Sequence, residues 1–309
     1  IIKLFTQLVL VSTFFQFFPA DAGELEQRAL AVGEMQQEFD LLDAYTHVTN
    51  RLPMASNRGV APVKLNAESM GVVTSALSAV VVDRSSKEVL FEKNIHEPRS
   101  IGSITKLMTA HVFLKTNPDL NAPATLVRED VRLGASQKLR VGETFTVRNL
   151  LEASLVGSDN TSTAALARLS GMSLGDFIAA MNEAAASMGM QETTFDDVTG
   201  LSSKNKSIVT DLAMMLDSIL ENPLIQEITQ LPSVNITSTS GKEYAVHSTD
   251  DLLTSFVNQS PYNIVGAKTG FLPEAGYCLG TLFTHEDKGE LIVVVLGSKS
   301  KTGRFQDVK

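Results

Sequence analysis

Residues 76–114, ALSAVVVDRSSKEVLFEKNIHEPRSIGSITKLMTAHVFL, decide how the chain is read. Ala76 to Asp83 is a β-branched run, Arg84-Ser85-Ser86-Lys87 a turn, and Glu88 to Lys93 a second strand, which together predict a hairpin. A glycine, Gly102, then precedes Ser103, after which Leu107, Ala110, His111 and Leu114 fall at helical spacing. A serine opening an apolar helix is an ordinary N-cap. With Lys106 three residues on, nearly one helical turn, an amine returns beneath the Ser103 hydroxyl and could take its proton without a histidine. A helix N-terminus adds free N–H groups and a positive dipole end, both suited to a developing oxyanion.

Downstream the pattern is helical and then reverts to strands. Thr146 is placed to cap a helix through Leu150, Leu151 and Leu155, and helical spacing resumes over 162–169, 174–188 and 211–220. Ile264 to Lys268, Gly276 to Phe283 and Glu290 to Leu296 read as strands, the last two joined by a loop ending in Gly289. Strands, helices, then strands describe an α+β domain in which a sheet is closed by both ends of the chain.

Two further short motifs follow Ser103-Ile104-Thr105-Lys106: Ser158-Asp159-Asn160 and Lys268-Thr269-Gly270. In that order they supply a nucleophile, a base, a polar relay and a cation for a carboxylate, the outfit of an enzyme that acylates its own serine. Each has a decoy: Ser203–Lys206 and Ser298–Lys301 repeat the first, Ser203–Asn205 and Ser233–Asn235 the second, Lys301-Thr302-Gly303 the third. The Ser203 match falls in a polar, lysine-rich loop and the Ser298 and Lys301 matches past a strand end, whereas Ser103 opens an apolar helix and Lys268 belongs to a strand. Gly270 would let a substrate backbone lie against that strand. Alternation along a strand places Lys268 and Thr269 on opposite faces, so spacing does not prove that they act together. Lys106 must be neutral to serve as a base, and burial beside the cation Lys268 would lower its pKa.

Composition excludes other chemistries. The 309 residues carry a net charge of -9, which would repel a phosphate backbone, so nucleic acid is not expected as a partner. A single cysteine, Cys278, rules out an intrachain disulfide and reads as a small buried hydrophobe. The five histidines are dispersed, with neither metal-ligand spacing nor a nucleophile elbow, so neither a metal nor a Ser–His–Asp triad is expected, and no cofactor.

The N-terminus points to export. Lys3, an apolar stretch from Leu4 to Phe18 and Ala20-Asp21-Ala22 read as a signal peptide over 1–22, whose removal leaves the net charge at -9 because Lys3 and Asp21 go together. Residues 23–70 read as an N-terminal segment and linker, and 71–309 as the catalytic domain, with Arg304 to Lys309 the first turn of a helix expected to continue. A C-terminal membrane association would not be visible in this chain.

On these residues the chain resembles the low-molecular-mass penicillin-binding proteins, the D-alanyl-D-alanine carboxypeptidase family of serine peptidases, from Ser75 to Phe305. Val141-Gly142-Glu143 with Thr146 to Leu151, Phe195 with Thr199-Gly200-Leu201, and Ala275-Gly276-Tyr277-Cys278-Leu279 resemble further family segments. Asp159, Thr161, Val198 and Phe271 depart from the family's common pattern and bear on the peptide preferred. The resemblance implies a penicillin-recognising fold, an antiparallel sheet with helices on both faces and a helical subdomain beside it. Carried over by position, Ser103 would be the acylated nucleophile, Lys106 its base and Ser158 the proton relay to the leaving amine. Asn160 would hold the substrate amide, and Lys268, Thr269 and Gly270 the terminal carboxylate and strand edge. The N–H groups of Ser103 and Phe271 would form the oxyanion hole. The implied activity is a D-Ala-D-Ala carboxypeptidase acting on peptidoglycan stem peptides outside the cytoplasmic membrane and inhibited by β-lactams. Alternatives are an endopeptidase of the same family, a class A-like β-lactamase and a non-catalytic wall-binding module. Residues 190–206 lack the Glu-x-x-x-Asn pattern of a class A β-lactamase.

Overall fold

The computed structural model describes residues 72–132 and 137–309. The expected signal peptide and the linker over 23–70 lie outside the described residues. The expected hairpin forms as β1 (Ser78–Asp83) and β2 (Val89–Lys93), and a short β3 (Arg99–Ser100) leads to a 3-10 turn at Gly102–Ile104. Helix α1 (Thr105–Leu114) follows; it begins two residues after Ser103, which therefore sits in the tighter turn rather than at a simple N-cap.

The helical layer comprises α2 (Val147–Leu155), α3 (Asn160–Leu169), α4 (Leu174–Ser187), α5 (Val209–Ile219) and α6 (Pro223–Thr229). Thr146 caps α2 as expected: its hydroxyl accepts from the Asn149 N–H at 3.1 Å while the Asn149 side chain reaches back to the Thr146 N–H. Helix α6 escapes a pattern reading because it is short, yet Asn222 caps it and Pro223 supplies its first turn.

Small pairings decorate this layer: β4 (Pro123–Thr125) with β5 (Thr144–Thr146), β6 (Lys206–Ser207) with β3, and β7 (Ser233–Thr237) with β8 (Glu243–His247). The β7–β8 hairpin is largely polar, with only Ile236 and Val246 buried, so no apolar run announces it.

Strands β9 (Tyr262–Leu272), β10 (Gly276–His285) and β11 (Gly289–Ser298) complete an antiparallel sheet in the order β2-β1-β11-β10-β9. Strands from the beginning and the end of the described residues thus build one sheet. Alternation divides its side chains between two cores: Val80, Ile292 and Val294 face the helical layer, while Ala79, Val293 and Val295 face the opposite side. That second side is covered in part by α7 (Lys301–Val308), through Phe305. Strand β9 runs four residues past Lys268, so Lys268-Thr269-Gly270 lies within the strand rather than closing it. As the edge strand, β9 leaves one side unpaired within the sheet.

Candidate active site

Lys106 lies in the first turn of a helix buried almost all round, and its side chain is completely buried. Its Nζ stands 2.9 Å from Ser103 Oγ and donates to the Thr199 carbonyl at 2.6 Å. Burial lowers its pKa to about 7, against the opposing pull of Asp197 and Asp159. A half-neutral amine therefore stands beside the serine at neutral pH.

Three glycines allow the backbone to close around this pair. A Cβ on Gly200, where φ is +85°, would sit 2.0 Å from the Gly102 carbonyl oxygen. One on Gly270 would lie 2.3 Å from the Ile101 oxygen, and one on Gly102, where φ is +53°, 2.8 Å from the Phe271 nitrogen. The serine turn, the Thr199-Gly200-Leu201 loop and β9 are thus in direct backbone contact, a packing open only to residues without a side chain. The Phe271 nitrogen is brought beside the Ser103 turn.

The loop is held by Asp197. Its carboxylate accepts from the N–H groups of Thr199 and Gly200, at 3.1 and 2.9 Å, and from Asn205 Nδ2 at 2.9 Å. The Thr199 hydroxyl donates to it as well. This aims the Thr199 carbonyl at Lys106.

The second motif joins α2 to α3. Ser158 adopts φ +56°, a left-handed conformation unfavourable for a residue with a Cβ, which turns its hydroxyl toward Lys268. Helix α3 begins two residues before the helical spacing does, and Asp159 caps it: it accepts from the Ser162 N–H at 2.6 Å, and its other oxygen accepts from the Lys138 N–H. Asn160 opens the helix, and its Oδ1 is buried with no partner among the described residues, an acceptor left for an incoming N–H.

Lys268 is buried too, and its Nζ donates to Ser158 Oγ and to the Thr269 carbonyl, each at 3.1 Å. Burial, with Lys106 and Arg304 nearby, lowers its pKa well below that of a free lysine. Two ammonium groups sharing one dry pocket disfavour each other's charge. Thr269 turns to Thr249, the hydroxyls 2.5 Å apart. Behind both, Arg304 of α7 donates to the Gly270 carbonyl at 3.2 Å and the Thr249 carbonyl at 3.1 Å. Asp250 is pushed up to about 6 by burial.

The three motifs are therefore assembled as the sequence suggests, through Ser103–Lys106 and Ser158–Lys268, while Thr269 faces a different partner. Asp197, Thr249 and Arg304 escaped the sequence reading. Arg304 directly follows the decoy Lys301-Thr302-Gly303, whose Lys301 is exposed and pairs with Asp251 at 3.5 Å. Of the Ser203–Lys206 decoy, both ends are exposed. Cys278 is fully buried and its thiol pushed up to about 11, as befits a small hydrophobe. His111 lines a cavity of about 520 Å³ with Lys115 and Met214, and burial lowers it to about 4. No group of three metal-ligating side chains occurs among the described residues.

A five-stranded antiparallel sheet, edged by a lysine-bearing strand and set against a helical layer, is the architecture of penicillin-binding DD-peptidases. The structure superposes on the crystal structure of the Streptomyces K15 DD-transpeptidase with a TM-score of 0.71 and 29% identity, covering 78% of this chain and 96% of that one. It matches ampicillin-bound penicillin-binding protein D2 of Listeria monocytogenes with a TM-score of 0.64 and 32% identity, over 77% and 96% of the two chains. In sequence it is 35% identical over 222 residues to a D-alanyl-D-alanine endopeptidase of Haemophilus influenzae, covering 71% of this chain and 74% of that protein. A D-alanyl-D-alanine carboxypeptidase of Bacillus subtilis is 28% identical over 242 residues, covering 75% and 60%. The model of the D-alanyl-D-alanine carboxypeptidase family, peptidase S11, matches residues 65–300, and the chain belongs to that family.

Proposed function

We propose that the protein is a serine DD-peptidase that cleaves after D-alanine in peptidoglycan stem peptides through an acyl-enzyme on Ser103. The observation carrying this reading is the buried Lys106 Nζ, 2.9 Å from Ser103 Oγ and lowered to about 7. A free lysine would be neutral about once in 3,000 at pH 7. Neutral Lys106 accepts the Ser103 proton as Oγ attacks the D-alanyl carbonyl carbon. The oxyanion is met by the N–H groups of Ser103 and Phe271. Asn160 Oδ1 accepts from the substrate amide N–H. Ser158 gives its hydroxyl proton to the leaving amine as the C–N bond breaks and regains one from the Lys106 ammonium, so that a neutral Lys106 can then take a proton from the water that hydrolyses the ester. The leaving residue's carboxylate sits at Lys268 and Thr269, where its negative charge favours the ammonium form of Lys268.

The same residues bind β-lactams, and the leader-like N-terminus supports action outside the cytoplasmic membrane. Asp197, within the 190–206 stretch, already receives backbone donors at both oxygens, so it is poorly placed to activate water against a penicillin ester. That favours a peptidase over a β-lactamase. The endopeptidase name of the Haemophilus relative, more similar than the Bacillus carboxypeptidase, favours cross-linked peptides as a second substrate beside D-Ala-D-Ala ends.

Intact-mass time courses with penicillin test the reading. A long-lived adduct on the wild type and none on Ser103→Ala is expected. An adduct lost within seconds identifies a β-lactamase, and no adduct on folded wild type overturns the acyl-serine proposal.

A further inference from the structure

Phe271, the residue after Lys268-Thr269-Gly270, is 48% exposed, an unusual position for a phenyl ring beside a catalytic strand. It is not loosely held. Its ring packs on Tyr277 of the neighbouring strand with centroids 4.4 Å apart and planes tilted by 31°. Tyr277 in turn lies 5.7 Å from the Arg304 guanidinium, the group that donates to the carbonyls of Gly270 and Thr249. The stack thus leaves the Phe271 ring half exposed on the same strand face as Thr269, two residues further along β9.

We infer that this face is the specificity surface for the leaving group, and that it selects an α-amino acid with a long aliphatic side chain, the kind a cross-linked peptide supplies. The inference rests on the serine DD-peptidase reading, in which the leaving residue's carboxylate sits at Lys268 and Thr269. Along a strand, Thr269 and Phe271 share a face and stand roughly 6.8 Å apart. The methyl of a leaving D-alanine extends only about 1.5 Å from its Cα and cannot reach the ring. A chain of three or more methylenes extending from the same α-carbon lies along it. One methylene in an enclosed apolar pocket changes kcat/KM by about 10–200-fold. On an open face contacted from one side, the whole chain is expected to be worth about tenfold.

The experiment is a series of acyl-D-Ala-D-Xaa peptides with Xaa alanine, norvaline and norleucine, read as kcat/KM for each. With the wild-type protein, D-norleucine is expected to exceed D-alanine about tenfold as leaving group. Phe271→His, which replaces the apolar face with a polar ring, should bring the ratio within twofold. Phe271→Tyr, which keeps the face, should retain it. The ratio is the readout, since a general disturbance of the strand would slow all three peptides alike. Turnover without preference in the wild type, or a preference that survives in Phe271→His, overturns the aromatic surface and leaves the peptidase reading standing. No turnover of any peptide, with no penicillin adduct on Ser103, overturns both.

Discussion

Lys106→Met should inactivate the protein and make it more stable. Holding a lysine at about 7 rather than the ordinary 10.5 is worth roughly 4 kcal/mol against folding at pH 7. Methionine has a similar length and no charge. Its cost is the orphaned Thr199 carbonyl, which loses the 2.6 Å bond from Nζ, about 1–3 kcal/mol. The net gain is about 2 kcal/mol, or ~4–8 °C in Tm for a domain of this size. The sign with pH follows from linkage. Between about 7 and 10.5 the unfolded chain holds the lysine proton and the folded one does not, so wild-type stability rises with pH across that window. The advantage of the methionine variant is therefore full at and below pH 7 and shrinks toward pH 10.5. Thermal melts of both proteins from pH 6 to 10, with penicillin acylation measured alongside, make the test. A variant less stable than wild type at pH 7, a gap that does not change with pH, or acylation that persists would refute a buried, neutral lysine base.

Asp197→Ala should lower stability by about 2–4 kcal/mol, since several buried donors lose their acceptor at once, and slow acylation at least 100-fold as the Thr199 carbonyl swings from Lys106; urea melts and penicillin mass shifts measure both. Gly200→Ala forces a Cβ to within 2.0 Å of the Gly102 oxygen and should abolish acylation by displacing the Ser103 turn, with an unchanged adduct rate as the contrary result. Ser158→Gly relieves the φ +56° strain and should raise stability by about 1 kcal/mol while reducing peptide turnover; a loss of stability would argue against strain at that residue.

The parts of the site legible in the sequence are those fixed by local geometry. Ser103 and Lys106 are one turn apart, so their contact follows from helix pitch alone, and the strand–helix–strand order was written in hydrophobic alternation. What joins Ser158 to Lys268 is a contact across 110 positions, which motif order suggested but no spacing could prove. Asp197 was hidden because most of its partners are backbone N–H groups, which leave no mark on side-chain pattern. Arg304 was hidden by a false copy of the third motif immediately before it. Thr269 shows the limit from the other side: strand alternation left open whether it acts with Lys268, and its hydroxyl meets that of Thr249, a partner no spacing announces.

The pairing of β1 with β11, Ser78 opposite Leu296, carries a consequence in time. The first hairpin has no covering partner until the last strand has been made, and the strand bearing Lys268 lies two places beyond that seam. A sheet whose middle is stitched between the two ends of a chain forms late and slowly, because the longest loop must close before its contacts reward it. Ser103, Ser158 and Lys268 thus come together only after synthesis of nearly the whole domain. A domain of this design holds its three motifs apart until β11 has been made and has paired with β1.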